Sequence, residues 1–189
     1  MNIFISGGCK NGKSSIAEDA CIKLAKGGPL YYIATMQAFD DEDRERIRRH
    51  VKSRDGKGFN TIEQPKNILE ILKKSNAQNA TFILDSVTAL MINELYSLAD
   101  AMGTETYDMT SDKNAAKRVA KELCELCDNV GNIVFVSDYI YQEADDYSEY
   151  TKEFLEALSE VDRALAEKCD VVCEVTFGNV INYKGELPL

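Results

Sequence analysis

The sequence predicts an α/β fold: a mostly parallel sheet with helices on both faces and an antiparallel hairpin at the C-terminal end. Three observations carry that expectation. Short apolar runs at 3–5, 30–34, 81–84 and 132–136 alternate with helically spaced segments, the pattern of right-handed βαβ units. The runs at 3–5, 81–84 and 132–136 are apolar apart from a leading Thr81 and Asn132, as expected when helices cover both faces of a sheet. Near the chain end two β-type runs flank Gly178 and Asn179, a hairpin signal.

Composition fits a single domain over residues 1–189. The chain has 189 residues, of which 44% are hydrophobic and 29% charged, enough for a well-buried core. Lys plus Arg number 22 and Asp plus Glu 32, a formal net charge of −10. That balance argues against a nucleic-acid partner held through its phosphates. No apolar run is long enough to span a bilayer, and the N-terminal run is too short for a signal peptide. The expected location is cytoplasmic, with the six cysteines as reduced thiols.

Taken in order, residues 2–5 form a strand that Gly7, Gly8 and Gly12 break, and a helix follows over 14–26, closed by Gly27, Gly28 and Pro29. A strand is expected over 30–34. Residues 40–54 form a charged helix, acidic at its start and basic at its end, the order that complements a helix dipole. Residues 59–62 form a short strand, and Pro65 opens the next helical stretch. After the strand at 81–84, Leu90, Met91, Leu95 and Leu98 predict one helix over 87–102. A loop over 103–111, a helix over 112–128 and the strand at 132–136 come next. Residues 139–150 read as an acidic, tyrosine-rich loop, and 150–168 as the last helix.

Within the first strand–loop–helix unit, Gly7, Gly8, Cys9, Lys10, Asn11, Gly12, Lys13 and Ser14 match G-x-x-x-x-G-K-S. That is the phosphate-binding loop of P-loop NTPases, and its context makes the fold P-loop NTPase-like, of the RecA-like type. The glycines let the backbone turn around a phosphate and aim N–H groups at it. The following helix directs its positive end to the same place. Lys13 reaches the terminal phosphates of a nucleoside triphosphate as a point charge, and Ser14 holds Mg²⁺.

Active sites of such sheets lie at the carboxyl ends of the strands. This rim gathers the phosphate loop, Thr35, Met36 and Gln37, Asp85, and Ser137 with Asp138. Asp85 ends an apolar strand, where a carboxylate orients the Mg²⁺ shell. Its other reading is a helix N-cap, a job Ser86 can also do. His50 is the only histidine. It is either part of a solvated helix face or a nucleophile, since nearby arginines favour the neutral imidazole that attacks phosphorus. Cys124 with Cys127 and Cys169 with Cys173 have the spacing of a thiolate zinc site, but the first pair sits in a helical run where cysteines pack as small apolar groups. Three functions fit these residues: a nucleotide-dependent transferase, a P-loop kinase of another small hydroxyl compound, and a non-catalytic nucleotide-binding protein.

The phosphate loop, then Y-I-A-T-M-Q, D-D-E and R-I-R-R-H, then I-L-D-S-V-T with Asn93, resemble the bifunctional adenosylcobinamide kinase/adenosylcobinamide-phosphate guanylyltransferase family of cobalamin biosynthesis. The match is most specific over residues 1–95. The resemblance implies two transfers. One phosphorylates adenosylcobinamide with GTP or ATP. The other moves GMP from GTP onto the product through a GMP-histidine intermediate. His50 stands at the guanylylated position, and Lys13 and Asp85 at catalytic ones. Nucleotide contacts carry over to Gly7 through Ser14, to Thr35, Met36 and Gln37, to Val51, Lys52, Ser53 and Arg54, and to Glu63 and Asp85. Mg²⁺, a corrinoid acceptor and a homotrimer are also implied. The family usually has glutamate at the Asp85 position. After the strand at 132–136 it typically reads Asn-Glu and a glycine-rich segment, whereas this chain has Ser137, Asp138, Tyr139, Ile140 and Tyr141. The loop over 139–150 is therefore expected to set acceptor choice.

Overall fold

The computed structural model describes residues 1–38, 40–74, 76–98, 109–141 and 147–189, with backbone alone at 53, 97, 98, 109 and 110. In chain order the elements are β1 (Asn2–Gly7), α1 (Lys13–Ala25), β2 (Leu30–Ala34), α2 (Asp41–Ser53) and β3 (Asn60–Glu63). Next come α3 (Ile71–Lys74), β4 (Thr81–Asp85), α4 (Val87–Leu95), β5 (Tyr96–Leu98) and β6 (Met109–Ser111). The series closes with α5 (Ala115–Asn129), β7 (Asn132–Val136), α6 (Glu149–Lys168), β8 (Val171–Thr176) and β9 (Asn179–Lys184).

Seven strands form one sheet in the order β3-β2-β4-β7-β1-β8-β9. Every neighbouring pair is parallel except β8 with β9. Successive residues of a strand face opposite sides, and both sides are covered. Ile3, Ile5, Ile83 and Val134 meet Ala17, Ala20 and Cys21 of α1. Phe4, Phe82, Leu84 and Phe135 meet Leu90 and Met91 of α4, Val119 and Leu123 of α5, and Leu158 and Val161 of α6. Each such side chain, fully buried, stabilises the fold by about 1.5–3 kcal/mol. This double covering is why the central strands read as unbroken apolar runs. None of the described helices is long and apolar enough to cross a membrane.

Five expectations need correction. The helix predicted over 87–102 stops at Leu95, and Tyr96 begins a strand paired antiparallel to β6. Leu95 instead gives its carbonyl to the Asp112 N–H at 2.8 Å. Helical spacing through Leu98 is outcompeted by pairing with a distant segment, which local propensity does not register. The predicted loop over 103–111 thus contributes β6, while 99–108 lies outside the described residues. Pro65 does not open a helix. It sits in a bend, and helical structure starts only at Ile68 as a 3₁₀ turn, after Asn67 at φ 51°. The fifth helix starts at Ala115, because Asp112 first closes a turn by accepting from the Asn114 N–H. The hairpin turn is Phe177–Gly178, with Thr176 opposite Asn179. Both turn residues have positive φ, 49° and 76°, as a two-residue primed turn demands.

Candidate functional site

The loop from Gly7 to Gly12 leaves β1 at the carboxyl rim and enters α1. Gly7 cannot be replaced: at its φ of 154° a Cβ would lie 2.3 Å from the Val175 carbonyl oxygen of β8. Gly12, at φ 89°, is the N-cap of α1, and no side chain caps that helix. Its first-turn N–H groups are therefore available to an anion. Cys9, Lys10 and Gly12 are exposed, and Gly8, Asn11 and Ser14 are half-buried. Lys13 is buried with its ammonium turned to the rim, donating to the Gly8 carbonyl at 2.7 Å and to Asp138 Oδ1 at 2.8 Å.

Asp85, at the end of β4, accepts from the Tyr32 hydroxyl at 2.5 Å. Burial first, and then the Asp85 carboxylate, push the Tyr32 phenol well above its ordinary value, so it remains a donor. The Arg54 guanidinium lies 3.6 Å above the Tyr32 ring and is itself buried, a desolvated cation–π contact. The cap of α4 is Ser86, whose Oγ accepts from the Ala89 N–H. Asp85 is not used for that purpose. Thr35 Oγ1 clamps Ser86 from both sides, donating to its carbonyl and accepting from its N–H, each at 2.8 Å. Asn93 ties the Thr35 and Pro65 carbonyls together. Met36 is half-buried, and Gln37 and Glu63 are exposed.

Between the phosphate-loop strand and the Asp85 strand lies β7. The segment leaving it is pinned by three bonds: Ser137 N–H to the Ile5 carbonyl, Asp138 N–H to Thr88 Oγ1, and Tyr139 N–H to the Gly7 carbonyl. Behind it, Asp162 of α6 accepts from Ser137 Oγ at 3.1 Å and from the Tyr141 hydroxyl at 2.7 Å. Its second oxygen, Oδ1, is buried without a hydrogen-bond partner among the described residues. Burial is the main force pushing the Asp162 carboxyl up to about 6, and the Asp138 charge adds to it against the two hydroxyl donors. The sequence places Ser137 and Asp138 on the rim without a role and does not single out Asp162. Asp138 carried a readable signal, since it follows an apolar strand as Asp85 does. Nothing local marks Asp162, Tyr32 or Thr88.

The charged helix α2 behaves differently. Its face turned from solvent is the stripe Asp43, Ile47 and His50, continued by buried Arg54. Arg46, Arg49, Val51 and Lys52 are exposed. The Ser53 side chain and Phe39, which precedes the helix, lie outside the described residues. The structure thus gathers Lys13, Ser14, Thr35, Asp85 and the anchoring Arg54 on one rim, and leaves most of the basic residues of α2 in solvent. Of the loop over 139–150, residues 142–146 are likewise outside the described residues. Tyr139 stands exposed, edge-on to Tyr141 at 5.5 Å between ring centres.

All six cysteines are free. Cys127 and Cys169 pack in the core under α5 and α6, whereas Cys173 faces α1 on the other side of the sheet. Among the described residues no group of three or more His, Cys, Asp or Glu is arranged to hold a metal ion.

The sequence model of the cobinamide kinase / cobinamide phosphate guanyltransferase family matches residues 3–183. The bifunctional adenosylcobalamin biosynthesis protein CobU of Escherichia coli strain K12 is 24% identical over 185 residues, covering 97% of this chain and 100% of CobU. The corresponding protein CobP of Pseudomonas aeruginosa is 26% identical over 186 residues, covering 98% of this chain and 99% of CobP. Among solved structures, a KaiC-like protein of Pyrococcus horikoshii aligns with a TM-score of 0.50 at 14% identity, over 97% of this chain and 78% of that one. A solved ATPase domain aligns with a TM-score of 0.51 at 11% identity, over 92% of this chain and 68% of that one. These two likenesses concern the fold, a P-loop NTPase sheet of the RecA-like type.

Proposed function

The chain belongs to the cobinamide kinase / cobinamide phosphate guanyltransferase family, transferases of adenosylcobalamin biosynthesis, and from that premise we propose how its own residues perform the two transfers. The observation that carries the proposal is the uncapped start of α1 with buried Lys13 turned to the rim. A buried ammonium paired at its tip, beside open N–H groups, is a seat for a triphosphate.

In the first transfer the N–H groups of Gly7 through Ser14 hold the phosphates of GTP or ATP, and Lys13 leaves Asp138 for their terminal oxygens. Ser14 and Asp85 offer a hydroxyl and a carboxylate, hard oxygen donors that would hold Mg²⁺. That ion would supply neutralisation of the negative charge that develops in the transfer. The Tyr32 hydroxyl holds Asp85 in place for that task. Thr35, Met36, Gln37 and Glu63 line the same rim toward β3. The acceptor is the hydroxyl of adenosylcobinamide, next to which Tyr139 presents an exposed aromatic face.

In the second transfer a ring nitrogen of His50 attacks the α-phosphorus of GTP. A nitrogen–phosphorus bond forms, the bond to the diphosphate oxygen breaks, and diphosphate leaves. The phosphate on cobinamide then displaces the histidine. For this, α2 brings its inner stripe over the rim, pivoting on Arg54, or a neighbouring copy in a homotrimer supplies it. The acidic surface keeps nucleic acid away, and free cysteines suit work in the cytoplasm.

Incubation with GTP labelled at the α-phosphate, without acceptor, tests the second transfer. The protein is expected to take up an acid-labile, alkali-stable label that His50→Ala abolishes. Absence of label from a protein that phosphorylates cobinamide would overturn the role of His50.

A further inference from the structure

The two proposed transfers differ in proton chemistry. In the guanylyl transfer the acceptor is a phosphate, already ionised at neutral pH, so no proton has to leave it. In the phosphoryl transfer the acceptor is an alcohol, whose proton must go as the oxygen bonds to phosphorus. The first step therefore gains from a general base that the second does not need.

Three carboxylates stand on the described rim between β3 and β1. Glu63 ends β3, four strands from β1, or about 19 Å at the usual strand spacing. Asp85 is two strands from β1, gives one oxygen to Tyr32 and suits the metal. Asp138 leaves β7, the immediate neighbour of β1, and its Oδ1 is 2.8 Å from the ammonium that grips the terminal phosphates. Its main chain is fixed through Thr88 on one side and by the Tyr139–Gly7 bond on the other. The carboxylate still keeps a quarter of its side chain open to solvent.

We propose that Asp138 is the general base of the phosphoryl transfer, freed for that role when Lys13 exchanges it for the nucleotide's phosphates. The inference rests on the transferase reading above. In the step, the acceptor oxygen bonds to the terminal phosphorus while the bond to the bridging oxygen breaks. The nucleoside diphosphate leaves with that electron pair. The hydroxyl proton passes to Asp138 and from its exposed edge to water. The ion pair also explains why the base does not stay masked: the cation that masks it is the one the substrate removes.

Asp138→Asn tests this, because asparagine keeps an oxygen for Lys13 but cannot accept the proton. Three quantities are compared with wild type: nucleotide affinity, phosphorylation of cobinamide at saturating nucleotide, and GMP transfer from GTP to supplied cobinamide phosphate. Phosphorylation is expected to fall about 10²–10⁴-fold, with affinity and GMP transfer nearly unchanged. Unchanged phosphorylation overturns the assignment. So does a parallel loss of affinity and of both transfers, which would mean that Asp138 only positions Lys13. A wild-type protein that binds nucleotide but never phosphorylates cobinamide would instead remove the transferase reading, and this base with it.

Discussion

Helices α1 and α2 follow glycine-rich and acidic entries respectively, and their first turns are finished in opposite ways. The N-cap of α1 is a glycine, no side chain caps it, and its first turn holds no acid. The N-cap of α2 is Asp40, whose carboxylate accepts from the Asp43 N–H at 2.7 Å, with Asp41, Glu42 and Asp43 behind it. Both helix ends carry the same partial positive charge. In α2 the chain satisfies it from its own sequence. In α1 it is left for a ligand. Packing repeats the contrast. Ala17, Ala20 and Cys21 weld α1 to the sheet, while α2 is mostly solvated and is held at its far end by Arg54 on Tyr32. A helix that must hold a phosphate in one place is built in. Under the proposed second transfer, the helix that brings the nucleophile to it is tethered.

The largest expected effect breaks the α1 side of that contrast. Lys13→Ala should lower triphosphate affinity or turnover by roughly 10²-fold or more, as loss of a charged phosphate contact does. The circular dichroism spectrum should stay native. Affinity and turnover equal to wild type would remove the phosphate-loop assignment.

A smaller effect sharpens the α2 side. Arg54→Ala removes the cation–π tether, costing about 1–2 kcal/mol of stability by chemical denaturation. Labelling of His50 by GTP should slow more than phosphorylation of cobinamide does. Equal slowing of both would mean that α2 has no separate anchoring.

The smallest effect concerns the carboxylate behind the rim. Asp162 titrates at about 6 in the folded chain against an ordinary 3.8. Between those pH values the folded chain holds a proton that the unfolded chain has lost, so stability falls as pH rises through the window. The ionised group then costs about 2–3 kcal/mol above it. Asp162→Asn still accepts from Ser137 and Tyr141, so it should flatten the slope of stability between pH 4 and 6. At pH 7.5 it should leave stability equal or higher. An unchanged slope would show that another group titrates there.

Several parts of this protein were legible in the residues alone, for a common reason. The loop from Gly7 to Ser14, the strand-ending Asp85, the acidic-to-basic order of α2 and the terminal hairpin are each set by neighbours a few positions apart. Glycine at a forced positive φ, a charge against a helix dipole, and period-2 or period-3.6 apolar spacing act locally. Family resemblance rested on the same short motifs. Other features came only from the tertiary structure. Spacing tells which residues face the core, not which strand lies beside which. Hence the insertion of β7 between the phosphate-loop strand and the Asp85 strand was not readable, nor was the pairing of Lys13 with Asp138 across 125 positions. The end of α4 at Leu95 fell to a strand partner beyond the reach of helical spacing. Arg54, one basic residue among several on paper, became the anchor because the sheet put the Tyr32 ring beneath it. Asp162 acquired its raised carboxyl because α6 buried it behind Ser137 and beside Asp138. Long-range packing supplies those neighbours, and burial gives them their strength.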